Sequence, residues 1–322
     1  MSAKRLEYLL ELIADAGLDG VVFNPGPSLF YLTGLPFHLM ERPTTLIIVP
    51  GQVPALVLPE LESAKLSQSS LPLQAFPFGD NPADWARAFQ AAAAALNLSG
   101  KRIGVESTHL RYLEISYLQA AAPELDLVPG DSALNGLRLH KDSAEIAKMR
   151  KAAVIAQNAL KATLPLVKAG VTERELAAEL SLQLLRAGSE PEFPFAPIVA
   201  SGPNSANPHA APTDRAIQTG DLLLFDWGAR YEGYCSDITR TFFIGEIKPE
   251  LQAIYQAVAA ANSAGRAIGK PGLRAGDVDH AARAEIVNAG YGQFFTHRTG
   301  HGLGMEDHES DRKSTRLNSS HI

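Results

Sequence analysis

The sequence predicts an α/β (α+β) protein of two domains. The chain has 322 residues, which is long for a single domain and natural for two. Short apolar runs alternate with amphipathic segments up to about residue 140, where the pattern changes to longer stretches with helical periodicity. We therefore predict a first domain over residues 1–140 and a second over 141–310. A polar, aperiodic tail over 311–322 is predicted to be non-native sequence that belongs to neither domain.

The first domain is predicted to hold a mixed sheet flanked by helices. An amphipathic helix over 4–16 ends at Gly17, and the strands follow from runs of branched apolar residues. The predicted strands are 19–23, 44–49, 54–58 and 102–105, and an alanine-rich helix covers 83–96.

The second domain is predicted to begin with two helices. The first covers 143–164, and a second begins at Thr172, where Glu175 completes a capping box. The predicted apolar stripe of the first helix is Ile146, Met149, Ala153, Ile155 and Leu160. A strand at 198–200, a strand–turn–strand segment at 225–237, and helices at about 250–268 and 276–289 complete the prediction.

Composition and charge exclude several classes of protein. The net charge of −6 and the lack of a lysine and arginine stripe argue against a nucleic-acid partner. No apolar run approaches the roughly 18 residues that span a bilayer, and acidic residues in the first helix do not fit a signal peptide. We therefore expect a cytoplasmic protein with no membrane partner. The single cysteine, Cys235, rules out an intrachain disulfide and is expected to be a small buried strand residue.

Asp226 and Asp237 stand in the segment that reads as strand, glycine-containing turn and strand. A turn symmetric about Tyr231 and Glu232 would place the two aspartates directly opposite each other, with Cβ atoms roughly 4.5–5.5 Å apart. Two carboxylates at that distance repel unless one is protonated or a cation lies between them. Two interpretations stay open: a buried divalent metal between them, or an exposed Asp237 beside a buried Asp226.

Three histidines could join the aspartates. His301 lies among glycines in Thr-Gly-His-Gly-Leu-Gly at 299–304, and neutral imidazole is a common metal ligand. His308 follows among acidic residues, and His209 lies in a glycine- and proline-rich loop. Taken singly, each has an ordinary interpretation as a turn residue, a surface ion pair or a solvated tip.

The combination of these segments resembles one family. Pro-His-Ala at 208–210, Gly-Asp-Leu-Leu-Leu-Phe-Asp-Trp-Gly at 220–228, Tyr-Cys-Ser-Asp-Ile-Thr-Arg-Thr-Phe at 234–242 and His-Arg-Thr-Gly-His-Gly-Leu-Gly at 297–304 occur in the order and spacing of the pita-bread metallopeptidases. These include prolidase and aminopeptidase P, with creatinase as a relative. The resemblance implies a creatinase-like N-terminal α/β domain followed by a pita-bread catalytic domain.

The resemblance also implies roles for the singled-out residues. Asp226, Asp237 and His301 would be metal ligands, with Asp237 bridging two divalent ions, Mn²⁺ first and Co²⁺ or Zn²⁺ as alternatives. His209 and His308 would contact the substrate and stabilise the tetrahedral intermediate. The implied activity is hydrolysis of the Xaa-Pro bond in dipeptides or at the N-terminus of peptides, by a homodimer.

One departure from the family pattern concerns two glutamate ligands. The resemblance implies one in a Glu-Pro-Gly sequence and one after an Arg-Ile pair, both downstream of His301, and the sequence has neither motif there. The expectation is therefore a C-terminally truncated copy whose pita-bread domain and metal site are incomplete and which has little or no activity.

Two other functions compete with the metallopeptidase. A metal-free, creatinase-like hydrolase of C–N bonds would dispense with the metal ligands, whereas Asp226, Asp237 and His301 are all retained. A non-catalytic pita-bread binding module would lose the ligands and carry a basic surface, and this chain does neither.

Overall fold

The structure is a computed structural model that describes residues 2–309. Within these residues the chain separates after His140 into two compact units. The predicted tail at 311–322 lies outside the described residues. Among the described helices, none has the length and apolar character needed to cross a membrane.

The first unit contains a six-stranded mixed sheet within the described residues. Its elements are α1 (Ser2–Asp15), β1 (Gly20–Phe23), α2 (Pro27–Thr33), β2 (Thr45–Ile48), β3 (Ala55–Pro59), β4 (Gln74–Phe78), α3 (Pro82–Ala95), β5 (Arg102–Val105), α4 (Tyr112–Ala121), β6 (Asp126–Pro129) and α5 (Asp131–Leu134). The strand order is β4-β3-β2-β1-β5-β6, antiparallel between β1 and β2 and between β2 and β3, and parallel elsewhere. The four predicted strands and both predicted helices of this unit are present.

Several elements of the first unit were not predicted. Helix α2 starts at Pro27, which reads as a turn residue in the sequence but is well suited to the first helical position. Strand β4 contains Pro77, which lowers its strand signal, and it lies at the edge of the sheet where proline is tolerated. Strand β6 is the other edge, and its residues are exposed or half-buried.

The second unit combines two helix pairs with a small antiparallel sheet. Its elements are α6 (Ser143–Thr163), α7 (Glu173–Arg186), β7 (Ile198–Ser201), β8 (Leu222–Trp227), β9 (Arg230–Tyr231), β10 (Tyr234–Cys235), β11 (Ile238–Phe243), α8 (Pro249–Ile268) and α9 (Ala275–Asn288). Within the described part, β8 is the central strand between β7 and β11, and β9 and β10 form a separate two-stranded ribbon.

Helices α6 and α7 share a core with the sheet. The predicted capping box of Thr172 and Glu175 is present at the start of α7. The predicted stripe of α6 is partly wrong, because Ile146 is exposed and the buried positions include Ala152, Ala156 and Ala159. The small alanines allow close approach to the sheet, where the buried Trp227 donates its Nε1–H to the carbonyl of Ala156 at 2.9 Å. This contact anchors the strand that carries Asp226.

Candidate metal centre and its loops

The turn that joins the two aspartate strands differs from the predicted one. Its central residues are Glu232 and Gly233, both with positive φ (46° and 80°), as in a type I′ turn. The centre of the turn therefore lies one residue further along the chain than predicted. The cross-strand partner of Asp226 shifts by two residues as a result, so that Asp226 lies opposite Thr239 and not opposite Asp237. A shift of two residues keeps both aspartates on one face of the ribbon as diagonal neighbours. The predicted shared face is retained and the predicted direct opposition is wrong.

Asp226 is a half-buried carboxylate with one hydroxyl partner. Thr239 donates its Oγ1–H to Asp226 Oδ1 at 2.9 Å from the neighbouring strand. Burial raises the pKa of Asp226, and the charge of Asp237 raises it further, while the bond from Thr239 and the nearby His301 and His308 oppose the rise. The carboxylate therefore lies where a cation would stabilise its ionised form.

Asp237 and His301 are in direct contact. His301 Nε2 lies 3.1 Å from Asp237 Oδ2, and both side chains are mostly buried, with 22% and 23% of their surface exposed. On the other side of the ring, Nδ1 lies 3.0 Å from the carbonyl of Gly302, which can only accept a hydrogen bond. The hydrogen bond with Asp237 raises the pKa of His301, and burial opposes this.

The Gly302 carbonyl therefore selects the tautomer of His301. With the proton on Nδ1, a neutral ring presents a lone pair on Nε2 towards the carboxylate of Asp237. Two acceptors face each other unless the ring is an imidazolium or a cation joins them. A backbone carbonyl that fixes the far nitrogen in this way is the usual arrangement behind a metal-bound histidine.

His308 stacks on His301. The ring centroids are 3.9 Å apart with an angle of 22° between the planes. His308 Nδ1 contacts Asp307 Oδ2 at 3.2 Å, an ion pair when the ring is protonated, and this contact occurs together with the stack on His301.

Glu309 folds the segment between the two stacked histidines. Its backbone pairs with Gly302, and its carboxylate accepts the amide proton of Met305 at 3.0 Å and contacts Lys141 Nζ at 2.7 Å. A Cβ on Gly304 would lie 2.5 Å from Glu309 Oε2, and one on Gly302 would lie 2.5 Å from the Glu309 carbonyl oxygen. Gly302 is thus required by the close return of the backbone at Glu309, and Gly304 leaves room for the Glu309 carboxylate.

His209 is an exposed residue on the loop that follows β7. Its ring lies near that of His297, with centroids 6.1 Å apart at an angle of 70°. Sequence reasoning did not single out His297, although it lies in the quoted motif four residues before His301. Thr239 was missed for the same reason, since each was read as part of a motif and not as a partner of a named side chain.

The donor chemistry of the centre fits a divalent metal ion. Two carboxylates and one imidazole suit Mn²⁺, Co²⁺ or Zn²⁺. Within residues 2–309, no group of three or more histidine, cysteine, aspartate or glutamate side chains is already gathered tightly enough to hold an ion. Cys235 is buried, as expected, and burial raises the pKa of its thiol to about 12, so it supplies neither a ligand nor a nucleophile.

Comparison with known proteins identifies the family. The profile of the Creatinase/Prolidase N-terminal domain matches residues 5–140, and that of Metallopeptidase family M24 matches residues 147–321. The chain belongs to metallopeptidase family M24. The predicted family and the predicted fold, a creatinase-like domain followed by a pita-bread domain, are confirmed.

Named relatives of this M24 chain include a dipeptidase and an uncharacterized peptidase. The Xaa-Pro dipeptidase of Pyrococcus horikoshii is 32% identical over 312 residues, covering 97% of this chain and 84% of the relative. An uncharacterized peptidase, YqhT of Bacillus subtilis, is 34% identical over 313 residues, covering 97% and 85%.

Solved structures of dipeptidases share the fold. The dipeptidase of Pyrococcus horikoshii superposes with a TM-score of 0.88 at 36% identity, covering 95% of this chain and 84% of that one. The Xaa-Pro dipeptidase of Bacillus anthracis gives 0.86 at 30% identity, covering 97% and 84%.

Proposed function

We propose that this M24 chain is built to hydrolyse the Xaa-Pro bond of dipeptides or peptide N-termini with divalent metal ions. The observation that carries the proposal is the contact between Asp237 Oδ2 and His301 Nε2, together with the hydrogen bond between His301 Nδ1 and the Gly302 carbonyl. The names of the relatives, Xaa-Pro dipeptidase among them, support the substrate class.

Asp226, Asp237 and His301 would hold the metal, with Mn²⁺ the first candidate and Co²⁺ or Zn²⁺ the alternatives. When bound, a pair of ions would lower the pKa of a water molecule and polarise the scissile carbonyl. Thr239 keeps Asp226 oriented through its hydroxyl. The Gly302 carbonyl keeps the Nε2 lone pair of His301 available for coordination.

His308 and His209 are proposed to serve the substrate. His308 stacks against His301, and its Nδ1 contacts Asp307 Oδ2. Its other ring nitrogen, Nε2, is the atom that would donate towards an oxygen of the substrate beside the ion. His209 lies on a separate loop next to His297, from which it would donate to the developing oxyanion.

The family resemblance implies two glutamate ligands in addition to Asp226, Asp237 and His301, in motifs that these 322 residues do not contain downstream of His301. The resemblance also supports a homodimer as the working form.

The test is metal titration together with hydrolysis. Binding of Mn²⁺ is measured by calorimetry in the wild-type chain and in Asp237→Ala, with Asp277→Ala, which breaks an exposed ion pair with Arg274, as the control. Asp237→Ala should lose metal binding and any hydrolysis of an Xaa-Pro dipeptide together. Hydrolysis that is equally fast with and without a chelator would refute the metallopeptidase function.

A further inference from the structure

Glu173 is a fully buried carboxylate at the first position of α7. The capping box of this helix uses Thr172 and Glu175, so the side chain of Glu173 is not needed for it. Burying a carboxylate is costly unless hydrogen bonds compensate for the lost water. The contacts that compensate here all come from one place, the loop that carries His209.

The two ends of that loop converge on Glu173. Glu173 Oε1 accepts from the backbone amide and the hydroxyl of Ser201, at 2.6 and 2.8 Å, where β7 ends and the loop begins. Glu173 Oε2 accepts from the amide and the hydroxyl of Thr213, at 3.0 and 2.6 Å, where the loop returns, and from Asn204 Nδ2 at 2.9 Å. One side chain thus binds both ends of the loop of residues 202–212, which contains His209.

These contacts need a carboxylate and not merely a polar side chain. Burial raises the pKa of Glu173, but the bonds from Thr213 and Ser201 outweigh burial, so the pKa is lowered and the group stays ionised. Every partner is a donor, and an ionised carboxylate only accepts. A glutamine of the same shape would turn its NH₂ group towards donors at one end of the loop.

We propose that Glu173 is a positioning residue for the M24 site: by binding both ends of the 202–212 loop, it fixes where His209 stands. Arg215 also holds the start of the loop, because it donates to the Ser201 hydroxyl at 2.5 Å and pairs with Asp221 at 2.6 Å. An effect of Glu173 on catalysis rests on the proposed role of His209. The binding of both loop ends by Glu173 does not depend on that role.

The experiment compares Glu173→Gln with a matched control in the full chain. Asp214→Asn removes a carboxylate next to Thr213, but from an exposed ion pair with Arg174. Amide hydrogen exchange is followed by mass spectrometry over 201–213, with α6 and β8 as internal references. The imidazole NMR signal of His209, assigned by its loss in His209→Ala, reports the environment of the ring.

In Glu173→Gln we expect amide exchange over 201–213 to become about 10-fold faster or more, with α6 and β8 unchanged and the His209 signal shifted. Asp214→Asn should leave both readouts unchanged. Thr213→Val, which removes one hydroxyl donor and keeps the carboxylate, should give a smaller change in the same direction. If Glu173→Gln does not fold, amide exchange over 201–213 in Thr213→Val is the measurement that tests the proposal.

Three results would overturn the proposal: unchanged loop exchange, an increase spread equally over α6 and β8, or a faster loop with an unmoved His209 signal. A different result bears only on the proposed function. If His209→Ala leaves Xaa-Pro hydrolysis unchanged, the role of His209 fails while the closure by Glu173 still stands.

Discussion

At the scale of single residues, the backbone decides which nitrogen of His301 can act as a ligand. The carbonyl of Gly302 accepts a hydrogen bond from Nδ1–H, which leaves Nε2 facing Asp237. Thr239 orients Asp226 by donating its hydroxyl proton in a hydrogen bond to Oδ1. Two of the three proposed ligands, His301 and Asp226, therefore have an orienting partner that is not itself a proposed ligand.

Replacement of Thr239 by valine should weaken metal binding without removing a ligand. The substitution keeps the shape and deletes the hydrogen bond that lowers the pKa of Asp226, so the carboxylate becomes harder to ionise and less well oriented. Loss of such a partner costs roughly 10–100-fold in metal affinity. Calorimetric titration with Mn²⁺ measures it, and an unchanged affinity would show that Thr239 has no orienting role.

Replacement of His308 by alanine should separate binding from turnover. His308 is proposed to contact the substrate, so His308→Ala should keep its metal content and lose about 100-fold or more in kcat. The measurements are metal content by elemental analysis and hydrolysis of an Xaa-Pro dipeptide. Loss of metal together with activity would show that the stack on His301 supports the ligand itself.

At the scale of elements, the aspartate ribbon depends on a close approach at Gly228. A Cβ there would clash with the carbonyl oxygen of Ser236 on the opposite strand and would lie 3.0 Å from Pro194 Cγ. Backbone atoms cannot move aside as a flexible side chain can, so the strands would have to separate between the two aspartates.

We therefore expect Gly228→Ala to destabilise the protein by at least about 2 kcal/mol. The control is Gly269→Ala, where the added methyl group would make only ordinary van der Waals contacts at 3.6 Å or more and φ is negative. Denaturant unfolding measures both variants. Equal midpoints for the two would show that the ribbon relaxes around the methyl group.

The elements also show how far the sequence can be interpreted. Apolar runs identified β1, β2, β3, β5 and both ends of α6 closely, and a capping box identified the start of α7, because apolar periodicity and capping are local signals. The register of the ribbon was missed, since the sequence does not say which two residues adopt positive φ. Glu173 was missed because its partners at Ser201 and Thr213 are distant in sequence, and only the fold brings them together.

At the scale of the whole molecule, acid should unfold the second unit partly through Glu173. Its pKa is lowered from a reference value of 4.5, since the bonds from Thr213 and Ser201 outweigh burial. A carboxylate with a lowered folded-state pKa contributes stability that is fully present above pH 4.5 and is lost as the pH falls through the folded value.

The expected result is a stability that falls more steeply below pH 4.5 in the wild-type chain than in Glu173→Gln. Fluorescence of the buried Trp227, in a Trp85→Phe background, follows unfolding of the second unit at each pH. Parallel curves for the two proteins between pH 5 and pH 3 would mean that Glu173 has the same pKa folded and unfolded.

The two-residue turn at Glu232 and Gly233 has a consequence for how such a chain can vary. Surface hairpins commonly tolerate insertions and deletions. Here the number of residues between the two aspartates, 227–236, decides whether both side chains lie on the same face of the ribbon. Adding or removing one residue would slip the ladder by one position and send Asp226 and Asp237 to opposite faces. An insertion at this tip would separate the residues of the candidate metal centre without replacing any proposed ligand, so the length of this turn matters to the candidate centre as much as the carboxylates do.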